Sequence, residues 1–206
     1  GKDKFIFRFS SKKNTILALD SKRYRGDLEI LAKNHDFRIL FINQRPQGWL
    51  LKPFYRKDKL PKIFEFYQSD KDSTNFKIYS DASIFMDSFL SKIYSALEVK
   101  CVTTANYRYF EDHHWTKSAE KLNIPWLMLY REGLLTFSSV YEGVIFRHKR
   151  FGKFHGSHII VHNKTIKQTF LDSDNCEEKQ ITIGGALRMD SFLDNIKIQK
   201  NRSVNP

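Results

Sequence analysis

The sequence predicts an α/β fold: a single Rossmann-like domain, with a mostly parallel sheet of about six strands and helices on both faces. Three observations lead there. Runs such as Thr15–Asp20 and Phe37–Ile42 are almost continuously apolar, as strands covered on both faces must be. Amphipathic segments separate these runs, and the β–α alternation with short connections favours parallel crossovers. The chain has 206 residues, of which 41% are hydrophobic and 15% aromatic, enough to build one sizeable core.

In chain order, Thr15–Asp20 reads as the first strand, Arg25–Asn34 as a helix and Phe37–Ile42 as the second strand. Asn43–Asn75 carries Pro46, Pro53 and Pro61 and reads as loops, with a short helix near Trp49–Tyr55. Ser80–Glu98 is the clearest helix. Phe85, Phe89, Ile93 and Leu97 recur every four residues, flanked by Met86, Leu90 and Tyr94, and Ser80 fits an N-cap with Asp81 beside it. Next come a strand at Val99–Thr104, a helix at Trp115–Leu122 and a strand at Pro125–Tyr130. A helix at Ser138–His148, a strand at His158–His162, a helix at Lys164–Asp172 and a last strand at Gln180–Gly184 complete the series. Residues 1–195 form the domain, and 196–206 read as a polar tail or the start of a linker.

Composition narrows the function. Thirty-five Lys and Arg against 23 Asp and Glu give a net charge of +12, which suits nucleic acid, an anionic membrane or phosphorylated ligands. The basic residues are scattered, with denser patches at Lys12–Lys13, Lys22–Arg25, Arg56–Lys62 and Arg147–Lys153, so no specific nucleic acid is expected. Cys101 and Cys176 form no disulfide framework and fit no metal spacing, which suits a reducing compartment, and no metal is expected. Apolar runs fall short of the ~20 residues that span a bilayer. The sequence has no Walker loop, no G-x-G-x-x-G after the first strand and no G-x-S-x-G elbow, which argues against P-loop NTPases, dehydrogenases and serine hydrolases.

Four polar clusters follow predicted strands, where open α/β sheets bind ligands. Lys22, Arg23 and Arg25 follow the first and could hold an anion with the amides of the next helix, or form a solvated turn. Glu111-Asp112-His113-His114 precedes a helix, and His113 or His114 could act as acid or base with Asp112 orienting it; N-capping by Asp112 competes with that. Arg131-Glu132-Gly133 ends a strand and offers Glu132 as a base toward a hydroxyl, against a plain Arg131–Glu132 ion pair. Arg188-Met189-Asp190 follows the last strand; Arg188 suits a phosphate or carboxylate, and Asp190 suits the same ligand site or a helix cap.

The order of these clusters resembles the GT-B glycosyltransferases of bacterial surface carbohydrate synthesis, including capsule and lipopolysaccharide Kdo transferases and CDP-glycerol glycerophosphotransferases. Asn163-Lys164-Thr165 and Lys179–Asp190 (KQITIGGALRMD) are similar to that group's N-K-T helix start, K-x-I-x-V-x-G strand and x-x-R-x-D element. Asn123–Gly133 (NIPWLMLYREG) is similar to its G-I-P…E-G strand, with Asn123 in place of the Gly, and Leu19–Asp27 to its first strand and turn. Gly185-Ala186-Leu187 departs from the group, which often has a Pro here.

The resemblance implies an N-terminal, acceptor-binding half. A C-terminal domain outside this chain would hold the nucleotide-sugar donor (CMP-Kdo, or a CDP- or UDP-linked sugar), and the chain ends sixteen residues after Asp190. It implies sugar transfer to a surface polysaccharide or lipopolysaccharide, without a bound cofactor or metal. Glu132 is then the leading catalytic residue and His113 and His114 the next. Lys22, Arg23, Arg25, Asp112, Arg131, Arg188 and Asp190 bind substrate. The fragment alone is expected to be inactive. A glycan or glycolipid acceptor, a cytoplasmic location and peripheral contact with the anionic inner leaflet follow. Two alternatives stay open: a non-catalytic module for an acidic glycan or nucleic acid, and a sugar-nucleotide epimerase, which shares the two-lobed architecture.

Overall fold

A computed structural model describes residues 14–34, 37–55, 74–132, 138–189, 192, 193 and 196. Six strands form one sheet: β1 (Asn14–Leu19), β2 (Phe37–Ile42), β3 (Val99–Thr104), β4 (Trp126–Leu129), β5 (His158–Val161) and β6 (Ile181–Ile183). Their order is β2-β1-β3-β4-β5-β6, and every neighbouring pair is parallel. The Rossmann-like architecture expected from the sequence is therefore present. Asp190, the runs Lys12–Lys13 and Arg56–Lys62, and all of the tail except Ile196 lie outside the described residues.

The chain leaves β1 for β2 on one side and returns to β3 on the other, so the winding reverses between β1 and β3. In β1, Leu17, Ala18 and Leu19 are all fully buried, which is possible only with cover on both faces. On one face Leu17, Leu19 and Val102 meet helices α2 (Gln44–Leu51), α3 (Thr74–Ala96) and α4 (Phe110–Lys121). On the other, Ala18 and Ala105 pack with Tyr24 and with Leu28 of α1 (Asp27–Asn34). Toward β6, Met128, Ile159, Val161 and Ile181 cluster with Ile166 and Phe170 of α6 (Lys164–Asp172). Helix α5 (Ser138–Phe151) lies between β4 and β5 in sequence.

Several boundaries differ from the expectations. Helix α1 starts at Asp27, not Arg25, because Ser21–Arg23 first makes a 3-10 turn and both Asp20 (φ 60°) and Arg25 (φ 53°) adopt positive φ. A helix spans Gln44–Leu51 where Pro46 suggested a loop. Pro46 stands in the first turn, where its missing N–H breaks no helical bond. Helix α3 begins at Thr74, which puts Ser80 inside it and not at its cap. Helix α4 begins at Phe110, so Glu111–His114 forms its first turn and does not precede a helix.

The buried row of α3 is also one position away from the stripe that the four-residue repeat suggests. Ala82, Met86 and Leu90 are fully buried, whereas Phe85 is 42% exposed. Tyr94 continues the buried row and donates its hydroxyl to the carbonyl of Trp115 at 2.7 Å, fixing this face against α4. Met86→Ala is therefore expected to cost about 2–5 kcal/mol, and Phe85→Ala under about half as much. Urea denaturation of the two variants checks the order, and equal losses would contradict this face assignment.

Candidate functional site: an arginine-lined cleft at the carboxyl edge

In a doubly wound sheet the usual ligand crevice opens beyond the strand ends where the winding reverses. Here protein side chains take up part of it. Arg23, on the 3-10 turn after β1, is buried, with Nε 2.9 Å from Asp20 Oδ2 and Nη1 2.6 Å from Asp112 Oδ2. Its guanidinium also lies 3.5 Å from the Tyr109 ring centroid. Burial pushes the Asp112 carboxyl up, to about 8, while Arg23 pulls it down. We read the pair as ionised, because a guanidinium N–H at this distance gains most from an anionic acceptor. Arg23 and Asp112 are thus bound to each other, and Asp112 does not orient a histidine.

Open space extends beside it, from the segments after β1 and β3 over the ends of β4, β5 and β6, in a cleft of about 720 Å³. Its lining includes Arg25 from the β1–α1 turn, Arg108 after β3, Arg131 and Glu132 after β4, Arg147 on α5 and Arg188 after β6. Five guanidiniums and one carboxylate, from five stretches of chain, face one space. Four of these residues, Arg25, Arg131, Glu132 and Arg188, are ones that the sequence singled out. Lys22 is exposed on the 3-10 turn and does not line the cleft.

The arginines differ in how they are held. Arg188 donates twice to Asp27: its backbone N–H to Oδ1 and its Nη1 to Oδ2, both at 2.8 Å. Arg131 has Nε 3.4 Å from Glu132 Oε1 and Nη2 3.1 Å from the Tyr109 hydroxyl. Arg108 donates Nε to Asn106 Oδ1 at 3.0 Å, and Arg147 donates Nε to the Gly143 carbonyl one turn earlier at 3.2 Å. Among the described residues, no carboxylate pairs with Arg25, Arg108 or Arg147. The α6 amino end joins the lining through Asn163, whose side chain caps the helix by accepting from the Ile166 N–H at 2.9 Å.

His113 and His114 lie elsewhere. Both are buried in α4 and face α3: His113 Nε2 is 2.7 Å from the Tyr79 hydroxyl, and His114 Nδ1 is 3.4 Å from Ser83 Oγ. Burial, first among the causes, pushes them down to about 3 and about 4. Because α4 starts five residues earlier than predicted, these histidines belong to a helix–helix contact and not to the strand-end loop, and neither lines the cleft.

The sequence reading did not single out Arg108, and it took Arg147 for part of a surface patch. Arg108 carries the same signal as Arg25 and Arg131, a basic residue just beyond a strand end; Arg147 lies mid-helix and carries none. Among the described residues, no helix is long and apolar enough to cross a membrane, and no group of three or more His, Cys, Asp or Glu could hold a metal ion.

No family model and no curated protein sequence matches this chain. One solved structure to which it is similar is UDP-GlcNAc 2-epimerase from Neisseria meningitidis bound to UDP-GlcNAc, at 11% identity and a TM-score of 0.46. The match covers 92% of this chain and 51% of that one, so the chain spans about half the length of that neighbour.

Under the cleft wall, the fully buried His148 ring packs 4.3 Å from Phe170, and its Nε2 is 3.4 Å from the Tyr130 hydroxyl. Burial pushes His148 down to about 4. Unfolding restores an ordinary imidazole near pH 6.5, so the unfolded state binds the extra proton first on acidification. His148 stability is complete above about pH 6.5 and lost as pH falls toward 4. His148→Phe should lose less stability than the native chain over that range, by about 1.4 kcal/mol per pH unit. Chemical denaturation at several pH values checks this, and parallel profiles would contradict it.

Proposed function

We propose that this domain is the acceptor-binding half of a two-lobed glycosyltransferase that moves a sugar from an activated nucleotide to a hydroxyl of an anionic surface glycan or glycolipid. The observation that carries the reading is the convergence of Glu132 with Arg25, Arg108, Arg131, Arg147 and Arg188 at the carboxyl edge of the sheet. The similarity of Asn123–Gly133 and Lys179–Asp190 to GT-B motifs supports it.

In this reading the arginines hold the acceptor's negative groups and Arg131 steadies Glu132. Glu132 takes the proton from the acceptor hydroxyl, whose oxygen attacks the anomeric carbon. The bond from that carbon to the donor phosphate breaks, and the nucleotide leaves with the electron pair. A second lobe holds the donor nucleotide. A surplus of twelve positive charges supports work beside the anionic inner leaflet.

One observation favours a second reading, a non-catalytic module for acidic glycans. Glu132 is half-exposed and paired with Arg131, so its carboxylate has a structural use without any chemistry.

Release of nucleoside phosphate from CMP-, CDP- and UDP-sugars separates the two, measured in the full-length protein with bacterial glycolipid extract as acceptor. Glu132→Gln is expected to lower kcat about 10²–10⁴-fold with little change in acceptor KM. Unchanged turnover removes Glu132 from the chemistry. No release from any donor, with glycan binding intact, establishes the binding module.

A further inference from the structure

We infer that the cleft binds a phosphate group carrying at least two negative charges, with Arg25, Arg108 and Arg147 as its receptors. The inference deepens the acceptor-site reading of the same cleft and names the chemistry that would be recognised there.

The argument begins with charge. Asp27 already neutralises Arg188, and Glu132 already neutralises Arg131. Among the described residues, the other three guanidiniums have no carboxylate partner: Arg108 is held by the Asn106 amide oxygen, Arg147 by a backbone carbonyl, and Arg25 stands on a turn at φ 53°. Three like charges facing one cleft repel each other unless something anionic arrives. A single carboxylate leaves two of them uncompensated, whereas a phosphomonoester or diphosphate brings two or three charges on one compact group. Guanidiniums also match phosphate oxygens geometrically, donating two parallel N–H groups to two oxygens.

Backbone direction adds a second term. The first-turn N–H groups of α6 have no carbonyl partner within the helix, and the residue capping that turn, Asn163, lines the same cleft. The positive end of the helix therefore acts on the ligand in the same sense as the three arginines.

Size limits what carries the phosphate. A space of about 720 Å³ suits a small-molecule ligand, since such pockets run about 300–1,000 Å³. Val140, Val144, Ile166 and Met189 supply an apolar wall suited to a sugar face or an alkyl carbon, and Tyr130, His162 and Asn163 beside it suit sugar or polyol hydroxyls. A phosphorylated sugar or polyol fits this lining better than a nucleotide does.

The test is calorimetric titration of the full chain with inorganic pyrophosphate, sn-glycerol 3-phosphate, glucose 6-phosphate, UDP and glucuronate. Pyrophosphate and the phosphomonoesters should bind at least tenfold tighter than glucuronate. Arg108→Gln and Arg147→Gln should each weaken pyrophosphate binding about tenfold, with unchanged circular dichroism. Lys179→Gln removes the same charge from an exposed pair with Glu177 and should change nothing.

Glucuronate binding as tightly as pyrophosphate, no binding of pyrophosphate, or equal weakening by Lys179→Gln would each overturn the inference. UDP binding more tightly than every other ligand would uphold the phosphate site but assign it to a nucleotide, so the acceptor reading would fail alone. Phosphomonoester binding without transfer activity would likewise leave this inference standing while the transferase reading fell.

Discussion

Arg23 leaves solvent where the chain turns back across its own sheet, and three groups receive it: Asp20 at the end of β1, Asp112 in the first turn of α4 and the Tyr109 ring. A charge withdrawn this far from water is tolerated because its hydrogen bonds are nearly as deep as it is. The pairing ties the β1 turn to α4 across the point where the winding reverses. It also takes up part of the crevice that a doubly wound sheet ordinarily offers to a ligand. Open space is left from Arg25 and Arg108 across the ends of β4, β5 and β6, and that extent decides which residues can meet a substrate.

The cleft then faces a problem of like charge. Five guanidiniums around one space repel, and the protein meets this by pairing two of them with carboxylates. Arg188, 161 residues from its partner in sequence, is clamped by both oxygens of Asp27, which joins the segment after β6 to the start of α1. Arg131 is shared between Glu132 and the Tyr109 hydroxyl. Tyr109 thus touches both systems, stacking on the buried Arg23 and accepting from Arg131 at the cleft. Among the described residues no carboxylate pairs with the remaining cations, and such a site gains most from a compact polyanion.

Much of this was legible in the sequence because it depends on local pattern. Apolar continuity in Thr15–Leu19 and Phe37–Ile42 marks strands buried on both faces, and all six strands lie where the apolar runs fall. Arg25, Arg131, Glu132 and Arg188 could be picked out because the fold class puts strand ends on one edge. What the sequence hid depends on tertiary partners. Nothing local says that Arg23 turns inward while Arg25, two residues on, stays exposed, since the difference comes from Asp112 some ninety residues away. The histidines of α4 looked like loop residues until the helix start moved to Phe110. Arg147 reaches the cleft only because α5 packs beside α6.

The most direct test of the central claim is an NMR titration of the arginine side-chain Nε–Hε signals with inorganic pyrophosphate. The account predicts saturable shifts for Arg25, Arg108 and Arg147. Arg23, locked between Asp20 and Asp112, and Arg38 on β2, bonded to Thr15 and to the Leu97 carbonyl, should not move. Uniform small shifts at every arginine, or saturable shifts that spare the three cleft residues, would contradict it.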